Sequence, residues 1–230
     1  MGDALVRLGC PLEKVRIHHL GIETDKISFV PRHWAAGTAL RVLIAATFTE
    51  KKGIPDALAA LGRVAAETTV EVTIIGGARP HEMNDQRELA RIQKTVDTYG
   101  LRVRFLGYQS HARLFEEAYK HHIFLSPSVT AADGDTEGGV PVTLIEMAAT
   151  GMPVVSTCHC DIPNVIKSRS SGLLAEEHDV DQLAEHMKWL IRNPDAWGDM
   201  VTAARQHICL EFNAKTQGAR LAAIYQETLS

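Results

Sequence analysis

Residues 133–157 read DGDTEGGVPVTLIEMAATGMPVVST. An acidic loop leads into paired glycines, a proline, a helix-length apolar run, and then Gly151, Pro153 and a short β-branched segment. Pro141 suits the first turn of a helix, where its missing N–H costs nothing, and Gly151 suits the cap that ends one. The stretch therefore predicts loop, helix and strand in that order, with Gly138 and Gly139 just ahead of the helix N-terminus. Free backbone N–H groups and the positive end of the helix dipole make that a natural anion site, and paired glycines let a phosphate approach closely.

Inside the same helix, Glu146 is surrounded by Val142, Leu144, Ile145, Met147, Ala148 and Ala149. Apolar residues on almost every side predict a buried helix, and a carboxylate there needs a donor, because burying it unpaired costs several kcal/mol. A structural hydrogen bond to a neighbouring loop satisfies that need, and so does a ligand diol, whose two hydroxyls both donate to one carboxylate. Glu137 and the glycine pair at the start of the helix favour the diol.

Upstream, the chain alternates. LRVLIAA from Leu40, TVEVTIIGG from Thr69, VRFLG from Val103 and IFLSP from Ile123 read as strands. EKKGIPDALAALGRVAAE from Glu50, HEMNDQRELARIQKTVDTYG from His81 and HARLFEEAYK from His111 read as the helices between them. Strands this rich in Val, Ile and Leu, separated by helices, predict a doubly wound parallel sheet of about six strands with helices on both faces. In such a sheet the loops at the strands' carboxyl ends meet at the ligand crevice. Gly76 and Gly77, Gly107, and Ser126 to Ser128 lie in those loops, and Lys52 falls on the same edge as the glycine pair. Downstream, DIPNVIKSR reads as a short helix, SGLLAE as a last strand, and the segment from Asp179 as a helical pair divided near Asn193 and Pro194, with Trp189 and Trp197 as packing residues. The segment from Asn213 to Leu229 reads as a final helix with Leu221, Ile224 and Tyr225 on one side. Gly2 to Arg7 reads as a helical turn, Val15 to Leu20 as a strand on which His18 and His19 face opposite ways, and Asp25 to Thr38 as a connecting loop. The whole is expected to be one domain, 1–230, with a leading segment at 1–38 and a crossing helix at 213–229.

The 230 residues are 45% apolar and 23% charged, ordinary for a soluble globular chain. A net charge of -4 and the lack of a basic block give no electrostatic case for nucleic acid. The first residues lack a signal-peptide layout and the apolar runs are short, so a cytoplasmic place is expected. Cys10, Cys158, Cys160 and Cys209 read as ordinary thiols of a reducing compartment; Cys158, His159 and Cys160 lack the spacing of a zinc site.

Taken together in order, TFTEKKGI, IIGG, VRFLGY, FLSPS and DTEGGVPVTLIEMAATGMPVVST resemble the donor-binding half of a retaining family-four glycosyltransferase of the GT-B fold. The resemblance is to enzymes of bacterial exopolysaccharide assembly of the colanic acid type, and it runs from Leu8 to the last helix. It implies a Rossmann-like C-terminal domain that holds a nucleoside diphosphate sugar. The saccharide or lipid-linked acceptor is then held by an N-terminal domain outside this chain. It further implies metal-independent transfer, no cofactor, and a peripheral place at the inner face of the membrane for a full-length protein. By resemblance, Glu146 receives the ribose hydroxyls, Glu137 lies near the donor sugar, Lys52 contacts the diphosphate, and Tyr108 and Gln109 lie against the base. Gly77, Gly138, Gly139, Val140 and Pro141 complete the donor-binding set. Thr47 stands where many members have an arginine, so the phosphate site is expected either to rely more on backbone N–H groups and the helix dipole or to borrow Arg79 or Lys51. Eight residues separate Glu137 from Glu146, one more than the family's seven. Lys52 and Glu137 are the candidate catalytic residues, and no metal ligand is assigned.

Two other readings are open to the same residues. A dinucleotide-binding oxidoreductase domain is disfavoured because no G-x-G-x-x-G follows a strand. A sugar-nucleotide-binding module or subunit without catalysis fits a chain that carries only the donor half. On either sugar-nucleotide reading this chain alone is expected to bind donor without transferring sugar, and the apolar side of the final helix is expected to give weak self-association or to meet a partner.

Overall fold

The computed structural model describes residues 2–229, save the side chain of Thr228. Its strands are β1 (Leu40–Ala45), β2 (Val70–Ile75), β3 (Arg102–Phe105), β4 (Ile123–Ser126), β5 (Val154–Thr157) and β6 (Leu173–Ala175). They form one six-stranded sheet in the order β3-β2-β1-β4-β5-β6, with every pairing parallel. This is the doubly wound Rossmann-like arrangement. The order reverses between β1 and β4, where Val42 pairs with Ile123 on one side and Val72 on the other. That is the switch point at which the loops part and leave a crevice.

Continuous apolar strands follow from burial on both faces. Val42 and Ile44 of β1, with Ile123 and Leu125 of β4, point into a core shared with α2 (Ile54–Val64) and α7 (Val180–Arg192), and α3 (Met83–Tyr99) closes the same side. Leu43 and Phe124, one residue out of phase, point into a second core with α5 (Val142–Ala149), α6 (Ile162–Val165) and α8 (Trp197–Glu211). Ala118 of α4 (His111–Ala118) belongs to that second core. The divide at Asn193 and Pro194 is a 3-10 turn, Pro194–Ala196. Trp197 is buried there and donates Nε1–H to the carbonyl of Leu190 at 3.0 Å.

The helix expected from Glu50 begins later. Glu50–Lys52 form a 3-10 turn, and α2 starts after Gly53, whose φ is +59°. A Cβ at Gly53 would sit 1.9 Å from the carbonyl oxygen of Pro127, so only glycine lets the β1 loop pass this close to the β4 loop. That close approach fixes Lys52 beside the residues after β4.

Val15–Leu20 is not a strand. The segment is extended but joins no ladder, and Ile17 and Leu20 lie 74% and 62% exposed. Its charged and apolar alternation has no sheet edge to pair with. Instead it runs along α9 (Ala214–Leu229): His18 Nε2 lies 3.0 Å from the carbonyl of Gln217, and the His19 ring packs on Phe212 at 5.2 Å. The loop expected from Asp25 begins after a 3-10 turn at Thr24–Lys26, and it is clamped by Arg32. Arg32 is 5% exposed, and its guanidinium donates to the carbonyls of His121, Ala118 and Thr150. Burial pulls it down to about 10. Gly2–Arg7 is helical (α1), as expected.

Candidate functional site

Glu137 is the centre of the carboxyl edge. The turn before α5 brings its carboxylate against Lys52, whose ammonium donates to both oxygens at 2.8 and 2.7 Å. The Ser128 hydroxyl, in the loop after β4, donates to Oε1 at 2.8 Å. The side chains of Lys52 and Glu137 are 19% and 6% exposed, so the pair is largely withdrawn from water. An ammonium has three N–H donors, and one therefore remains beyond the two that reach Glu137.

The backbone of Glu137 is held as well. Its N–H donates to Nε2 of His159 at 3.1 Å, and Nδ1 of His159 lies 2.6 Å from Oε1 of Glu177. The other oxygen of Glu177 accepts from the Thr130 N–H at 2.6 Å. Burial raises the Glu177 carboxyl, but the hydrogen bonds from His159 and Thr130 outweigh it and hold the group below the usual carboxylate range. Ser128 lies in a loop expected at this edge, whereas His159 and Glu177 have no signal in the sequence that links them to Glu137; only the meeting of the β4, β5 and β6 loops does.

The glycine turn follows. Gly138 has φ of +68° and its N–H donates to Thr136 Oγ1 at 3.2 Å, so this amide, one of those expected to face an anion, is spent locally. Pro141 precedes the first helical residue rather than occupying it, and its carbonyl accepts from Leu144 N–H at 3.0 Å. Gly139 and Val140 stand at the mouth of a cavity of about 470 Å³, shared with Glu137 and with Arg16, His18 and His19 of the leading segment.

Glu146, on α5, has the donor its burial demands: Nε2 of His111 lies 2.8 Å from Oε1. The Glu146 side chain is 12% exposed, whereas that of His111 is 69% exposed. Tyr108 and Gly77 are brought together, the phenol donating to the Gly77 carbonyl at 2.7 Å. The Gln109 amide turns back to the carbonyl of Leu106. Thr47 lies in the β1 loop and accepts from the Thr49 N–H at 3.0 Å through its carbonyl.

The two candidate cations for the arginine's place at Thr47 are engaged elsewhere. Arg79 forms a bidentate pair with Asp85 at 2.7 and 3.0 Å, and Asp85 is buried. Lys51 is held by Asp135 at 3.0 Å and by the Thr136 carbonyl at 3.0 Å. The structure thus leaves Lys52 as the cation that meets the glycine turn through Glu137. Among the described residues no group of three or more His, Cys, Asp or Glu is arranged to hold a metal ion, and no helix is long and apolar enough to cross a membrane.

A doubly wound parallel sheet with a glycine turn, a helix N-terminus and a fixed Lys–Glu pair at its carboxyl edge defines a Rossmann-like ligand-binding domain. The family described as Glycosyl transferases group 1 matches residues 29–207, and the chain belongs to it. It is 36% identical over 223 residues to the amylovoran biosynthesis glycosyltransferase AmsK of Erwinia amylovora, covering 96% of this chain and 53% of that protein. It is 32% identical over 225 residues to the putative colanic acid biosynthesis glycosyltransferase WcaL of Escherichia coli K12, covering 96% and 53%. The chain thus spans about half the length of these curated relatives. Among solved structures, Anabaena Alr3699/HepE in complex with UDP-glucose superposes with a TM-score of 0.82 at 17% identity, over 98% of this chain and 61% of that one.

Proposed function

We propose that this chain is the donor-binding part of a retaining glycosyltransferase, and that its carboxyl edge takes a nucleoside diphosphate sugar. The observation that carries the reading is the Lys52–Glu137 pair, fixed beside the Gly138–Gly139 turn at the switch point of the sheet. In this reading the ribose diol donates to Glu146, displacing His111, and the base lies near Tyr108 and Gln109. The diphosphate sits between the remaining Lys52 N–H and the amides at the start of α5. The sugar occupies the cavity below Glu137.

The chemistry is the breaking of the bond between the anomeric carbon and the diphosphate oxygen as a bond to an acceptor hydroxyl forms on the same face. The acceptor proton passes to the departing diphosphate. Negative charge develops on that leaving group, so a positioned ammonium and oriented backbone dipoles contribute most. No step is assigned to a metal. The relatives named for amylovoran and colanic acid biosynthesis point to an exopolysaccharide acceptor, held by a further domain. Calorimetric titration of the chain with UDP, GDP and ADP sugars tests the reading. Binding of one class at micromolar to millimolar affinity supports it, and absence of binding by all three overturns it.

A further inference from the structure

We propose that His159 is a positioning residue for this site: its ring fixes the backbone at Glu137, and through it the Lys52–Glu137 pair. The inference rests on the reading of the carboxyl edge as a donor site, and goes beyond it in naming what holds that edge in register.

The side chain of His159 is 1% exposed. Its two nitrogens face partners of opposite kind, and those partners dictate the proton. An amide N–H cannot accept, so Nε2, 3.1 Å from the Glu137 nitrogen, must be bare. An ionised carboxylate cannot donate, so Nδ1, 2.6 Å from Glu177, must carry the hydrogen. The imidazole is thereby locked as one neutral tautomer, the way a second-layer carboxylate orients a histidine in many sites. Cys160 Sγ lies 3.1 Å from the same Nε2, and as a thiol it shares that lone pair.

The consequence is mechanical. Glu137 is gripped at its carboxylate by Lys52 and Ser128 and at its amide by His159. Gly138, next in the chain, has a positive φ and one local hydrogen bond, to Thr136 Oγ1, so the His159 contact is a restraint from outside the turn. His159 joins the loops after β4 and β5, and Glu177 ties in the loop after β6 through Thr130. Removing the Nε2 acceptor leaves the Glu137 carboxylate in place on one side and frees the backbone that aims it.

Three readouts on the 230-residue chain test this. Long-range proton–nitrogen NMR should show His159 protonated at Nδ1 and bare at Nε2; the opposite tautomer, or imidazolium at neutral pH, overturns the proposal. Hydrogen exchange at the Glu137 amide should accelerate about tenfold or more in His159→Met, which has no comparable acceptor, and stay within about threefold of the parent in His159→Gln, which keeps one. Unchanged exchange in the Met variant, or equal acceleration in both, overturns it. Finally, UDP, GDP and ADP are titrated against each protein alongside uridine, guanosine and adenosine. For whichever diphosphate binds the parent, His159→Met should weaken it about tenfold and the nucleoside by less than twofold; equal loss for both overturns the positioning role. If no diphosphate binds the parent, the donor reading fails, while the tautomer and exchange results still decide whether His159 sets the backbone at Glu137.

Discussion

The two carboxylates of the carboxyl edge are held in opposite ways. Glu137 is 6% exposed in its side chain and is fixed by an ammonium, a hydroxyl and, at its backbone, an imidazole. Glu146 is 12% exposed and is held by one histidine that is itself 69% exposed. The first is organised before any ligand arrives; the second is stoppered by a side chain that water or a ligand displaces at small cost. Charge stabilisation in a reaction gains from groups that need not reorganise, whereas a binding contact must be open to its ligand. On the proposed reading, the Glu137 end would serve the reacting diphosphate and sugar and the Glu146 end recognition.

The sharpest way to break the contrast is at Lys52. Lys52→Met should remove the partner of a nearly buried carboxylate and destabilise the chain by about 3 kcal/mol, near the lower end for broken buried pairs because Lys52 keeps some solvent contact. Thermal and urea unfolding read that loss. Calorimetry on the folded fraction should show nucleoside diphosphate binding weakened and nucleoside binding nearly unchanged. A melting temperature equal to the parent's would show that the pair is not the fixed pole.

Glu146→Gln should behave the other way round. Its carboxylate has one displaceable partner, so stability should change by no more than about 0.5 kcal/mol. Nucleoside diphosphate binding should weaken by about 1.5 to 3 kcal/mol, as for hydrogen bonds to a charged acceptor. Equal affinity of variant and parent removes Glu146 from the binding role.

Much of the fold was legible because its physics is periodic. Strands buried on both faces give unbroken runs such as LRVLIA and VEVTII, and Gly151 marks the end of α5, whereas Gly53 falls inside the helix expected from Glu50 although α2 starts only after it. The demand for a donor at Glu146 was legible too, since it needs only the apolar neighbours, but its identity was not. His111 is 35 positions away and on another helix. The same holds for His159 and Glu177, whose roles arise only where three loops converge. Val15–Leu20 has a strand's composition, yet a strand is a relation to a neighbour, and the neighbour there is α9 rather than a sheet edge. Arg79 and Lys51 read as spare cations because sequence shows charges and not their partners; Asp85 and Asp135 had already taken them.

A smaller effect separates the poles by pH. The Glu177 carboxyl is held below its ordinary range in the folded chain, so the unfolded chain binds more protons through that range. The stability it contributes is complete above the unfolded carboxylate value of about 4.3 and is lost as pH falls through the folded one. Glu177→Gln should therefore flatten part of the acid limb of a stability profile taken below about pH 5, and should loosen the Glu137 end without affecting His111 or Glu146. A profile parallel to the parent's across that limb would show that the Glu177–His159 contact carries no linkage.

The smallest expected effect is at His111, and it decides how the open pole works. The His111 contact uses Oε1 of Glu146, and on the proposed reading a diol donates to the same carboxylate, whose oxygens each accept more than one hydrogen bond. If the ring covers the ligand's approach, ligand and histidine compete and the histidine is a place-holder. Its exposure limits what the contact contributes, since surface pairs of this kind are worth about 0 to 1 kcal/mol. His111→Ala should accordingly leave the melting temperature within about 2 °C and leave nucleoside diphosphate affinity equal or tightened by up to about threefold, because the displacement step disappears. Calorimetry distinguishes this from a shared site: if His111 stays bonded while the ribose uses the second oxygen, it helps hold the carboxylate in place and its loss weakens binding. A clear loss of affinity in His111→Ala would make the second pole a fixed one as well, and the contrast between the two ends would then lie only in their exposure to solvent.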